Sequence, residues 1–260
     1  MFGNYIGNNK MLIKAAYNGM LTISSNDLSI MPSLVTNGFI EMPLTNYFIK
    51  RVKSGQTVVD IGANVGYYTV LAGMLVGAEG KVFGYEANPK TFSFLQDNIQ
   101  MNWLTQQTKI ENKAIYSKNT TLEFNISSKF QGDSSIKCSS DPSQIKWYNK
   151  VSVDATTLDN ELKNIDKIDL LKIDIEGGEF HAFHGMLELI GHKKIKNIIF
   201  EWNKGMLGKD AELFAELLRD ILNQNDGLIY TLTQEGEILP ATLDIIISND
   251  FYPFALIEFI

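Results

Sequence analysis

From Thr57 onward, short apolar runs alternate with longer amphipathic stretches. TVVDI (57–61) reads as a first strand, and residues 66–76 as its helix. KVFGYE (81–86) is a second strand. The stretch after it carries Pro89 at a helix start and Phe92, Leu95 and Ile99 at helical spacing. KIENKAI (109–115) and IDLLKIDI (168–175) read as strands, and FHAFHGMLELI (180–190) as one helix with Phe180, Phe183, Leu187 and Ile190 on one face. KNIIFEW (196–202) is the next strand, and AELFAELLRDILNQ (211–224) a helix ended near Gly227. LIYTLT and LDIIIS are expected as two strands joined by QEGEILPAT in a hairpin-like end.

That rhythm predicts an α/β fold: a doubly wound, mostly parallel sheet covered by helices on both faces. Two consecutive strands at the end predict one antiparallel strand. Residues 1–50 break the rhythm with weak periodicity and many Asn, Ser and Gly. They are expected to form an N-terminal cap facing the substrate, ahead of a catalytic domain over 51–260. Residues 118–155 hold short alternating segments and are expected as an edge β insertion with a loop. Both regions are candidate walls of a site, with surface decoration as the alternative.

Composition narrows the partners. A formal net charge of -7 argues against a sequence-independent grip on nucleic acid. No apolar run approaches the roughly 20 residues needed to cross a bilayer. The first twenty residues lack a basic segment followed by a long apolar core, so no secretory leader is expected. The one cysteine, Cys138, has no intramolecular partner and fits a reducing, cytoplasmic compartment. The apolar tail FYPFALIEFI is expected to pack onto the domain, to meet a second copy, or to meet a neighbouring domain.

The chemistry concentrates in VVDIGANVGYYT (58–69). In a doubly wound sheet, ligands bind outside the carboxyl ends of the strands, where strand order reverses. Gly62 and Gly66 permit a tight turn and close approach of a ligand. The spacing departs from a dinucleotide fingerprint, which needs glycine in place of Asn64 and Tyr67. An aspartate at the strand end also repels phosphates. A ligand with an ammonium and a carboxylate suits the turn better: Asp60 takes the ammonium directly or through water, and the turn with Thr69 the carboxylate. Glu86 ends the next strand, where an acidic residue meets a ribose diol. An amino acid at one end and a nucleoside at the other describe S-adenosylmethionine.

DIGANVGYYT, YEANP, NKAIYS and LLKIDIEGGEFHAFHGM resemble the motifs of the FkbM family of S-adenosylmethionine-dependent methyltransferases, over roughly residues 55–202. The resemblance implies a seven-stranded Rossmann-like sheet and O-methylation of small molecules or sugars. It implies that Asp60, Gly62, Asn64 and Gly66 line the methionine part, with Tyr68 and Thr69 following. Glu86 and Ala87 then meet the ribose, and Ala114 and Ile115 lie near the adenine.

KIDIEGGE (172–179) gathers acids where a strand gives way to a helix. Asp174, which also counts among the cofactor contacts, is the first candidate for a base or acceptor-orienting residue; Glu176 and Glu201 come next. His181 serves only if its helix start faces the pocket; a surface or capping histidine is the plainer reading. Helix capping is likewise the alternative for Glu176 and Glu179. These carboxylates are hard ligands suited to Mg²⁺ or Ca²⁺, but no Asp-Asn pair supports a metal, and none is assigned. Residues 132–136, and Tyr17, Phe39, Phe130, Trp147 and Tyr148, are candidate walls, equally readable as loop or core.

The expectation is an O-methyltransferase acting on a hydroxyl or carboxylate of a small molecule, sugar or peptide. A nicotinamide-dependent oxidoreductase and a noncatalytic cofactor-binding or interaction domain of a larger enzyme are the alternatives.

Overall fold

The computed structural model describes residues 2–127 and 148–260. The chain opens with an antiparallel meander: β1 (Gly3–Gly7), β2 (Lys10–Lys14) and β3 (Met20–Ser24). Asn8 and Asn9, both at positive φ (50° and 56°), close the first hairpin, a conformation asparagine tolerates better than most residues. Helix α1 (Met31–Asn37) stops at Gly38, whose φ of 75° is left-handed, and α2 (Met42–Arg51) follows. The expected cap is thus a small sheet with two helices. It shares a core with the main sheet: Ile13, Leu21, Leu34 and Phe48 pack with Val58, Leu71 and Leu95.

The central unit begins with β4 (Thr57–Ile61), α3 (Tyr67–Val76), β5 (Lys81–Tyr85) and α4 (Pro89–Met101). Helix α3 is apolar nearly all round and correspondingly buried, as a helix roofed by further structure must be. Helix α4 starts where Asn88 Oδ1 accepts the backbone N–H groups of Lys90 (3.0 Å) and Thr91 (3.5 Å), with Pro89 in the first turn. Its Asn98 fastens the N-terminal sheet, accepting Thr22 N–H (2.6 Å) while donating to the carbonyls of Thr22 (2.9 Å) and Val65 (2.7 Å).

KIENKAI, expected as one strand, is divided between two sheets. β6 (Thr108–Glu111) joins the main sheet, while β7 (Ala114–Ile115) pairs with β9 (Tyr148–Thr156) beside β8 (Thr120–Ser127). Between them Asn112 Nδ2 donates to the carbonyls of Glu86 (2.8 Å) and Ala87 (3.1 Å), so the chain leaves the main sheet there. The insertion is therefore a separate three-stranded sheet.

After α5 (Leu158–Glu161) and β10 (Leu170–Ile173), the expected single helix is two, α6 (Glu179–His184) and α7 (Leu187–Gly191). The break falls at Gly185, where a Cβ would collide with the carbonyl of Tyr116. β11 (Asn197–Asn203), α8 (Lys204–Leu207), α9 (Ala211–Gln224), β12 (Gly227–Leu232) and β13 (Ile238–Pro240) follow. LDIIIS, expected as a strand, is α10 (Leu243–Ser248): Thr242 caps it, and Leu243 and Ile246 bury one face. The apolar tail forms the next strand instead, β14 (Phe251–Phe259), antiparallel to both β11 and β12.

The main sheet runs β13-β12-β14-β11-β10-β4-β5-β6. Without the three-residue β13 these are seven strands, of which β14 alone runs against the others. Strand order reverses between β4 and β10. Among the described residues no helix is long and apolar enough to cross a membrane.

Candidate active site

A cavity of about 230 Å³ opens where strand order reverses. Its floor is a row of strand ends: Glu86 after β5, Gly62–Val65 after β4, Asp174–Glu176 after β10 and Glu201 in β11. Three strand spacings separate the first from the last, roughly 14 Å.

The turn after β4 is fixed by backbone geometry. Gly62 has φ of 78°, and a Cβ there would strike the carbonyl oxygen of Asp174, so only glycine lets the two strand ends meet. Gly62 and Ala63 donate their N–H groups to the Tyr85 carbonyl (3.0 and 2.9 Å). Asn64 is also left-handed (φ 51°), and its N–H reaches Glu86 Oε2 at 2.8 Å. Asn88 N–H reaches Oε1 at 2.8 Å. Burial pushes the Glu86 carboxyl up to about 7, although both N–H groups pull it down. Gly66 (φ 91°) lies against Leu95 and is not part of the cavity wall.

Asp60 and Thr69 are placed differently from expectation. Asp60 is 1% exposed and Thr69 is fully buried; neither lines the cavity. The Thr69 hydroxyl donates to Asp60 Oδ2 at 2.7 Å, and Lys172 Nζ lies 3.2 Å from Oδ1. Asp60 thus neutralises a buried lysine beneath the turn. Its charge, being matched, also gives no ground for excluding phosphates. Lys172 further approaches Asp174 Oδ2 (3.5 Å) and the Gly62 carbonyl (3.4 Å). Burial alone lowers the affinity of Lys172 for its proton; Asp60, Asp174 and Glu41 reverse this and leave its pKa raised.

At the far end of the row, Asp174, Glu176 and Glu201 line the cavity, as does Tyr68. Burial and the nearby Asp174 push Glu201 up to about 8, and Asn203 Nδ2 donates to its Oε1 at 3.2 Å. Glu41, contributed by the N-terminal unit, completes this end. It sits at φ 42°, left-handed and costly for a residue with a side chain, and accepts the Tyr68 hydroxyl at 2.9 Å. Burial, then Asp174, raise it to about 7. Glu179 does not line the cavity; its Oε1 accepts Ile175 N–H (3.2 Å), which holds the loop before α6.

His181 stays outside the cavity. Its ring lies tilted against Tyr116, with centroids 4.3 Å apart, and Nε2 lies 3.8 Å from Asp210. The opposite end is lined by Ala87, Ala114 and Ile115, with Phe124 and Lys113 from the insertion and its approach. Tyr17 donates its hydroxyl to the Tyr67 carbonyl (2.9 Å) and packs edge-on to that ring, as core. Residues 132–136, Phe130, Cys138 and Trp147 lie outside the described residues.

Among the cavity-lining residues that sequence reasoning did not assign to the site are Glu41, Lys113, Phe124 and Lys172. Lys172 had a usable signal, since a lysine in the middle of LLKID requires a buried counter-charge. Glu41 and Phe124 had none, because nothing local marks which residues of the cap and of the insertion turn inward.

A crevice at this place, outside the strand ends where their order reverses, is where Rossmann-like folds bind their ligands. Residues 60–227, more than half the chain, match the family model described as the methyltransferase FkbM domain, and the chain belongs to that family. A solved FkbM methyltransferase from Methylobacillus flagellatus KT shares the fold with a TM-score of 0.50 and 15% identity, covering 79% of this chain and 44% of that one. The probable cobalt-precorrin-6B C(15)-methyltransferase (decarboxylating) of Saccharolobus solfataricus is 32% identical over 81 residues, 27% of this chain and 41% of that protein. The chain spans less than half the length of either relative. Family membership implies S-adenosylmethionine as methyl donor.

Proposed function

We propose that the chain transfers a methyl group from S-adenosylmethionine to an oxygen of a small-molecule, sugar or peptide acceptor. The observation that carries this reading is the row of strand ends, with a buried carboxylate at Glu86, a side-chain-free Gly62 and a second set of carboxylates at Asp174 and Glu201. These residues fit the donor. Each Glu86 oxygen accepts one backbone N–H and keeps a lone pair for a ribose hydroxyl. Ala87, Ala114, Ile115 and Phe124 offer the base an apolar slot, and the missing Cβ of Gly62 leaves room beside the turn.

Bound there, the donor supplies an electrophilic methyl carbon on positively charged sulfur. The chain's own part is to orient the acceptor, exclude water and take a proton. Glu201 or Asp174 receives the proton of an acceptor hydroxyl. Because Glu201 is held near pKa 8 by burial and Asp174, its base form grows as pH rises through about 8. His181, outside the cavity, takes no part in this scheme.

Thermal shift with S-adenosylhomocysteine and with NADH separates the donor reading from an oxidoreductase: the first ligand raises the melting temperature and the second does not. Labelled-methyl transfer to matched alcohol, carboxylate and amine acceptors then tests the oxygen preference. Donor binding with no turnover on any acceptor would favour a noncatalytic module.

A further inference from the structure

We propose that Lys113 reads the base of the methyl donor: its ammonium donates a hydrogen bond to a ring nitrogen of adenine, and Glu161 aims it. The inference rests on the cofactor reading above and deepens it. Strand order carries the argument. β4, β5 and β6 lie side by side in the main sheet. The turn at Gly62 follows β4, and Glu86 follows β5. A donor with its ribose at Glu86 and its amino acid over the turn extends its base the other way. The base then lies toward the end of β6, one strand spacing or about 4.8 Å further on. Lys113 stands there, just beyond Glu111, the last residue of β6, and it lines the cavity. Asn112 holds it in place, since its side chain donates to the carbonyls of Glu86 (2.8 Å) and Ala87 (3.1 Å).

The slot around the base is otherwise apolar. Ala87, Ala114 and Phe124 pack in one cluster, and Ile115 adjoins them in the cavity wall. Such a surface gains from burying any flat ring of similar area and does not read its edge. An adenine ring carries nitrogens with lone pairs, which lose their water on entering the slot and need a donor. Among the described residues lining this end, Lys113 supplies the positive charge. Its Nζ lies 3.0 Å from Glu161 Oε1 and 4.0 Å from Glu111 Oε2. An ammonium has three N–H groups, so the bond to Glu161 leaves donors for a ligand. The lysine side chain is 33% exposed and the glutamate 10%, which makes the acid the anchor and the lysine the reaching partner. Glu161 in turn sits on α5, whose start is capped where Thr157 Oγ1 accepts the Asn160 N–H at 3.1 Å. The bond to Glu161 also raises the proton affinity of Lys113, so the donor stays charged across the working pH range.

Calorimetric titration with S-adenosylhomocysteine and its deaza analogues, in each of which one ring nitrogen of the base is replaced by CH, tests this without any knowledge of the acceptor. One analogue is expected to bind the native protein about tenfold more weakly than S-adenosylhomocysteine, and it identifies the nitrogen that Lys113 meets. Lys113→Met should weaken S-adenosylhomocysteine by the same factor of about ten and leave that analogue within about twofold of its native affinity. Residual binding of the analogue also reports that the variant folds. Glu161→Gln, which keeps the shape and loses the charge that aims the lysine, should cost about threefold for S-adenosylhomocysteine. The inference is overturned, with the cofactor reading left standing, if Lys113→Met binds S-adenosylhomocysteine within about twofold of the native protein. It is also overturned if the variant loses the same factor for every analogue, since the lysine then serves only the junction with α5. Failure of the native protein to bind S-adenosylhomocysteine overturns the cofactor reading and the inference together.

Discussion

The two ends of the cavity solve opposite problems with the same functional group. At one end, each oxygen of Glu86 accepts a backbone N–H, from Asn64 and Asn88, so the carboxylate is aimed before any ligand arrives. At the other end, Glu41, Asp174 and Glu201 come from three distant segments, and Lys172 lies 3.5 Å from Asp174 and 3.2 Å from the buried Asp60. The first end is built by local chain geometry. The second is built by topology. Substitutions at the two ends should therefore fail in different ways.

The largest effect is expected beneath the second end. Lys172→Met leaves Asp60 buried and unmatched, at a cost of about 3–5 kcal/mol in chemical denaturation. A loss below about 1 kcal/mol would show that the pair does not organise the site. Next comes Gly62→Ala, which places a Cβ against the Asp174 carbonyl at a left-handed φ of 78°. About 2–4 kcal/mol of stability should be lost, together with S-adenosylhomocysteine binding.

Glu86→Gln sharpens the comparison directly. The amide offers a donor where two donors already point, so one buried N–H loses its partner at about 1–3 kcal/mol. Binding of S-adenosylhomocysteine, read by calorimetry, should weaken about tenfold or more. Glu201→Gln should leave that affinity within about twofold. Equal losses in both variants would erase the distinction between the ends.

The smallest effect is a pH slope. Folded Glu41, Glu86 and Glu179 sit near 7 and Glu201 near 8, each raised first of all by burial above the ordinary glutamate range. The folded state then binds more protons than the unfolded one, so these groups favour folding below about 4.5, and that contribution is lost as pH rises through 7 to 8. Melting temperature should fall across that window, and Glu201→Gln should flatten its upper part.

What the sequence disclosed follows the same division. TVVDI, the turn at Gly62 and Glu86 lie within 30 residues of one another, and their chemistry is written in local order. The parallel sheet was legible because buried strands are apolar throughout and their helices are amphipathic. LDIIIS misled, since a six-residue apolar run has no period to separate strand from helix; the cap at Thr242 and the buried pair Leu243 and Ile246 decide for helix. The division of KIENKAI depended on Asn112 bonding to the Glu86 and Ala87 carbonyls, a contact across 26 and 25 residues. Asp60 looked like a ligand because its partner, 112 residues away, was not visible beside it.

The position of β14 has a consequence for the order of assembly. Among the described residues it alone bridges β11 and β12, pairing with one on each side. During synthesis both strands leave the ribosome before their shared neighbour exists. A nascent chain halted short of Phe251 presents two unsatisfied ladders of amides and carbonyls, ready to capture strands from other chains. Chaperone engagement and protease sensitivity in stalled chains should persist until the segment through Phe259 has emerged.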